Sequence, residues 1–315
     1  MNDNGGFSSD NDTSCSSCPQ EENTRDSPSF SDIRSAHLPD IPMEDVFSLW
    51  ARANYSKKMP HLLRDEHSWQ LYNELHLNDF DALFSKTAEF LGLSIIIRTS
   101  LFDQEIKSFE HSFPGGSIIV VGAGLSTVHT RLANLDAHWY YVDLPPINTI
   151  RQQYCTGCSQ SIDILDYTDI DWINHVPIMP GQDVLVVFPS SLQCADPIKV
   201  AILMESLADK WPSVHIVFDA LTTKALGYTE IMNTMKSLTG KDYTSSGYTV
   251  DDIEEEVQMW SDEDLQFNVL RSYGIFDAVS IKSDWEKHTQ KTVMRALILR
   301  AYNMHHVYHA ATDIF

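Results

Sequence analysis

Gly122, Ala123 and Gly124 stand between an apolar, β-branched run, Ile118–Val121, and a segment that closes on a second apolar run ending in an acid, Trp139–Asp143. A chain that turns sharply after Val121 and passes close to a ligand needs residues without side-chain obstruction there, and Gly122 and Gly124 supply them. Asp143 lies 19 residues beyond Gly124, roughly the interval at which a second strand presents a carboxylate to ribose hydroxyls. Strand, glycine turn, helix, strand and acid together make the first half of a nucleotide-cofactor site. Position 127 is Thr, where a dinucleotide fingerprint carries a third small residue for helix packing.

The elements that must hold this turn follow from periodicity. Strand-like runs at Ile118–Val121, Trp139–Val142, Ser161–Ile164, Val184–Phe188 and Val214–Phe218 are separated by segments long enough for crossover helices. That alternation predicts an α/β fold, a parallel sheet covered on both faces. After Cys194, Asp196-Pro197 offers a cap and a first-turn proline, and Val200, Leu203, Met204, Leu207, Ala208 and Trp211 recur at helical spacing. Phe102, Ile106 and Phe109 form one apolar stripe on a helix leading into the first strand, and Val46–Phe90 reads as a helical cap broken at Pro60 and near Asn78. Two further runs, Phe276–Ile281 and Val293–Leu299, predict a terminal antiparallel hairpin. Leu221–Asp264 reads as a helical, acid-rich insertion: its acids suit a solvated helix face, and its position after the fifth strand also suits a lid over the strand ends.

Composition narrows the class of partner. The chain has 315 residues, 43% of them hydrophobic, enough for a sizeable core. Against 44 acidic residues stand 22 Lys and Arg, and the formal net charge of −22 repels phosphate backbones and anionic lipid, so nucleic acid and membrane are not expected partners. No apolar run approaches the about 20 residues of a membrane helix and the N-terminus lacks a signal pattern, which predicts a soluble, cytoplasmic protein. Five cysteines do not form a disulfide framework. Cys15/Cys18 and Cys155/Cys158 have metal-ligand spacing, yet their separation argues against a joint zinc site, and no metal is expected. His305, His306 and His309 could share a helix face as metal ligands; a solvated terminal segment is the reading preferred here.

Arg98 followed by Phe102-Asp103, then VVGAGLSTVHTRL, then YYVDLP, then Ile162–Trp172, IDILDYTDIDW, resembles the leucine carboxyl methyltransferase family, and within it the branch of polyketide O-methyltransferases. The likeness spans about Val46 to the C-terminus. It implies a Rossmann-like class I methyltransferase sheet with a helical N-terminal cap, a lid insertion and the terminal hairpin. S-adenosylmethionine is the implied cofactor, and the implied activity is O-methylation of a carboxyl or hydroxyl group on a small-molecule or peptide acceptor. Arg98 would bind the carboxylate of the cofactor's methionine part, beside the close backbone approach at Gly122 and Gly124. Asp143 would take the ribose hydroxyls, and Asp163 with Ile164 would face the adenine, while Lys57 or Lys58 would assist at the methionine carboxylate. Ser126 stands where the family carries Asp, and Phe188-Pro189-Ser190-Ser191 where it carries Glu-Gly, so an acid expected near the cofactor's amino group or the acceptor is missing. Phe188 and Pro189 are expected to line the pocket, giving an apolar or aromatic acceptor. No catalytic base is identifiable, and His129 reads as structural. A non-catalytic protein of the same fold and a nicotinamide-dependent oxidoreductase are the competing classes.

Residues 1–40 are rich in Ser, Asn, Asp and Gly and hold almost no large apolar side chains, so they read as a disordered acidic tail preceding one domain, 41–315. Deleting 1–40 is expected to leave Tm within about 2 °C in a thermal melt, because a loss of about 1 kcal/mol would shift a domain of this size by that much; a larger drop would mean that the tail docks on the body.

Overall fold

The computed structural model of the chain describes residues 41–84, 89–154, 160–244, 247–261, 265–276 and 304–312. The acidic tail, both Cys-x-x-Cys pairs and nearly all of the two expected hairpin runs lie outside them. Among the described residues no helix is long and apolar enough to cross a membrane.

Among the described residues seven strands form one sheet in the order β3-β2-β1-β4-β5-β7-β6. They are β1 (Ser117–Val121), β2 (His138–Asp143), β3 (Gln160–Asp163), β4 (Val184–Phe188), β5 (Val214–Leu221), β6 (Phe267–Gly274) and β7 (His305–Thr312). The first five pair in parallel, and β7 runs antiparallel between β5 and β6. β6 and β7 thus form an antiparallel pair at the edge of the sheet, while the two apolar runs expected to form the hairpin fall almost wholly outside the described residues. β6 is a sheet-edge strand whose middle residues are exposed, so its polarity masks it in the sequence. β7 carries three histidines that read as solvated yet occupy an interior strand. His309 is 4% exposed, its Nδ1 2.7 Å from Glu105 Oε2 and its Nε2 3.0 Å from His215 Nδ1. Burial opposes ionisation of Glu105, but the adjacent His309 and Arg271 hold its pKa below the usual carboxylate value.

The helices are α1 (Met43–Lys58), α2 (Glu66–Glu74), α3 (Asp81–Phe84), α4 (Glu89–Ser112), α5 (Val128–Arg131), α6 (Pro145–Tyr154), α7 (Pro197–Lys210), α8 (Thr223–Leu226), α9 (Thr229–Thr239) and α10 (Ile253–Met259). α7 starts where its cap dictates, with Asp196 Oδ1 accepting from Ile198 N at 2.8 Å and Pro197 in the first turn. Alternation along each strand divides the core in two. Leu185 and Val187 of β4 face α1 and α4, whereas Val184, Val186 and Phe188 face α7.

One buried ion network ties the helical cap to the sheet. Asp65, 2% exposed, accepts from Ser68 N at 3.0 Å, Thr127 Oγ1 at 2.7 Å and Arg131 Nη1 at 3.1 Å, and lies 3.5 Å from Arg52 Nε. Arg131 also grips Asp103 with two bonds, of 2.9 and 2.8 Å. Burial alone would raise the Asp65 pKa, and the two guanidiniums with the Ser68 and Thr127 donors bring it below the ordinary value. Replacing Asp65 by Ala leaves both arginines short of a counter-charge in the interior, and urea unfolding at pH 7 is expected to show a loss of about 3–5 kcal/mol. Because the folded-state pKa is depressed, the wild-type advantage is full above the unfolded pKa and shrinks as pH falls through the folded one. An advantage that grew on acidification would contradict this.

Candidate functional site

The main cavity opens at the carboxyl ends of β1, β4 and β5, between α1, α4 and α9. Its floor is the glycine turn. Gly122 and Gly124 adopt φ of 71° and 53°, in the left-handed region. A Cβ on Gly122 would lie 2.6 Å from Ser191 Cβ, and one on Gly124 would lie 1.9 Å from Asp45 Oδ1, so both positions require glycine.

Three side chains fix the turn through its own peptide groups. Asp143 Oδ2 accepts from Gly124 N at 2.7 Å, Arg151 Nη1 donates to Gly124 O and Ser126 O at 2.8 and 2.9 Å, and Arg52 Nη2 donates to Leu125 O at 2.8 Å. The other Asp143 oxygen accepts from Leu144 N at 2.8 Å and the Tyr167 hydroxyl at 3.1 Å. Burial raises the Asp143 pKa, and the bonds from the Gly124 and Leu144 amides oppose the rise.

A second centre lies across the cavity. Asp219, fully buried at the end of β5, accepts from Ser190 N at 2.6 Å, Gln193 Nε2 at 2.6 Å and His305 Nε2 at 2.6 Å, with Arg98 Nη1 at 3.5 Å. Arg98 also donates to Ser190 Oγ. Burial would raise the Asp219 pKa, yet Arg98, His305 and the Ser190 amide hold it below the ordinary carboxylate range. Ser190 sits at φ 64°, a left-handed conformation unusual for a residue with a side chain and kept here by its amide bond to Asp219.

Of the residues singled out in the sequence, Arg98 and Gly122 line the cavity, and Gly124 and Asp143 form the turn beneath it. Asp163 pairs in register with Asp143, is exposed, and accepts from Asn148 Nδ2 at 2.8 Å; Ile164 is buried in the core on the α7 side. Neither lines the cavity. Lys57 lies 3.7 Å over the Trp69 ring and Lys58 4.7 Å over that of Tyr55, also away from it. Phe188 does not line the cavity either: as a residue of the same parity as Val184 and Val186 it faces the core, while Val187, Pro189, Ser190 and Ser191 line the pocket. His129 is half-buried beside Thr130 and Tyr141, and burial followed by the charge of Arg151 lowers its pKa to about 4.

Sequence reasoning missed Asp45 and Asp219 and read His305 as part of a solvated segment. Asp45 reaches the turn from α1, and its neighbour Glu44 meets Lys241 Nζ, from the end of α9, through Oε1 at 2.5 Å. The insertion after β5 thus divides. Ile231, Met232, Met235 and Leu238 of α9 roof the cavity, whereas the acidic stretch Asp251–Glu256 instead caps and forms α10, where Tyr248 donates to Glu256 at 2.7 Å.

No protein-family model matches the chain, and no curated protein sequence matches it. Among solved structures, a DUF574 family protein from Streptomyces avermitilis is similar at TM-score 0.52 and 10% identity, over 85% of this chain and 96% of that one. The plantazolicin methyltransferase crystallised with a desmethyl plantazolicin analogue and SAH aligns at TM-score 0.45 and 11% identity, over 86% and 97%. Magnesium protoporphyrin IX methyltransferase from Synechocystis with bound SAH aligns at 0.42 and 12%, over 77% and 96%. The strand order, with its antiparallel β7, makes this a Rossmann-like class I methyltransferase fold.

Asp143→Ala removes the acceptor of two backbone amides, so the ligand-free protein is expected to lose about 2–3 kcal/mol in urea unfolding. An unchanged midpoint would mean that the turn is held without it.

Proposed function

We propose that this chain is an S-adenosylmethionine-dependent O-methyltransferase acting on a small or peptide acceptor with an apolar body, in line with its resemblance to the polyketide branch of the leucine carboxyl methyltransferases. The observation that carries the reading is the glycine turn, pinned by Asp143 beneath a cavity whose far side is apolar. The residues present fit this cofactor. Asp143 uses three of the about four acceptor positions of a carboxylate and is fully buried beneath the turn, so a ribose hydroxyl would reach the fourth, on Oδ2, by displacing the groups that cover it. Arg98 contacts Asp219 and Ser190 through Nη1 alone, so its fork keeps donors for the methionine carboxylate. Asp163, exposed at the neighbouring strand end, would face the adenine in this reading, whereas Ile164 is in the core.

When bound, S-adenosylmethionine supplies a methyl group on a sulfonium that already carries its leaving group. The protein's part is to align an oxygen nucleophile and exclude water. Phe47, Phe90, Phe102, Ile106, Met232 and Met235 form the apolar wall that does both. A carboxylate acceptor is ionised at pH 7 and needs no base, whereas a hydroxyl does. His305 lines the same cavity with its Nε2 2.6 Å from Asp219 Oδ2, and in this reading it is the group that would act as base for a hydroxyl acceptor.

Of the pair that suggests a degenerate pocket, Phe188 is in the core and Pro189 lines the cavity, and the antiparallel strand between β5 and β6 favours the methyltransferase over the nicotinamide reading. Calorimetric titration tests this directly: S-adenosylmethionine is expected to bind in the micromolar range and NAD not to bind. Binding of NAD alone would overturn the reading.

A further inference from the structure

A buried carboxylate oxygen without a hydrogen-bond partner is costly, and one lies in the cavity wall. Asp45 Oδ2 is shielded from solvent and has no partner. Its companion Oδ1 presses against Gly124, at a contact possible only because that residue has no side chain. The nearby cations are committed elsewhere: Arg52 to Leu125 O, Ser68 and Asp65, and Lys241 to Glu44. Burial first, then Glu44 and Asp143, raise the Asp45 pKa well above its ordinary value. These effects favour the neutral acid in the ligand-free protein, and a cation with several N–H donors seated beside Asp45 would draw off that proton and pair with the carboxylate left behind.

We infer that Asp45 receives the α-ammonium of the cofactor's methionine part, so that the amino acid end is held as a zwitterion between Asp45 and Arg98. The inference rests on the cofactor reading above. Two features select the ammonium over other parts of that molecule. Asp143 already supplies the acceptor at the end of β2 that suits ribose, and Arg98, on the wall of the same cavity, suits the carboxylate. The positions where an acid was expected, 126 and 188–189, carry Ser, Phe and Pro. Asp45 supplies that charge from α1 instead, a helix remote in sequence from the glycine turn.

Asp45→Asn keeps the side chain's shape and removes its charge. Calorimetry with S-adenosylhomocysteine and with 5′-methylthioadenosine, which shares the adenosine and sulfur but lacks the amino acid, separates the ends of the ligand. The variant is expected to bind S-adenosylhomocysteine about tenfold more weakly, the scale of one charge-assisted hydrogen bond, and 5′-methylthioadenosine as the wild type does. Its ligand-free Tm is expected to be no lower than that of the wild type, since the amide leaves no buried acid to ionise. Unchanged affinity for S-adenosylhomocysteine, equal weakening of both ligands or a fall in Tm would each overturn the role of Asp45 while leaving the cofactor reading intact. A wild-type protein that bound neither ligand would overturn both.

Discussion

The bond from Gly124 N to Asp143 Oδ2 is the constraint around which the site is arranged. It fixes the glycine turn from below, Arg151 fixes it through the Gly124 and Ser126 carbonyls, and Arg52 reaches it from α1. Because Gly124 has no side chain, α1 can bring Asp45 directly onto the turn. The N-terminal cap is thus part of the candidate site. The Asp65 network serves the same end, since it locks α2, α1 and the residues after the turn into one unit.

The buried charges fall into two kinds. Asp65, Asp103 and Asp219 have paired donors, and Asp65 and Asp219 keep depressed pKa values despite burial, as structural carboxylates do. Asp45 and Asp143 are pushed the other way, and they flank the turn. Perturbation of that sign, gathered at one end of a parallel sheet, marks these two carboxyls as candidates for ligand contact.

The first half of the fold was legible because its signals are local. β1, the turn and β2 carry apolar runs with an acid at a fixed interval, and α7 announces itself through Asp196-Pro197. Phe188 was misplaced although strand parity held the answer, since it shares a face with Val184 and Val186. Asp219 and His305 were not legible: they lie 86 residues apart and meet only because β7 inserts beside β5. Three histidines in an interior strand imitate a solvated tail until Glu105 and His215 are seen to partner His309. Asp45 gave no signal beyond a favourable acid in the first turn of α1.

A crystal structure grown with S-adenosylhomocysteine measures the central claim most directly. The account predicts the ligand lying across Gly122–Gly124, its ribose at Asp143, its amino acid between Asp45 and Arg98, and its sulfur facing the apolar wall and His305. A ligand seated elsewhere on the chain, with the glycine turn free of contact, would contradict it.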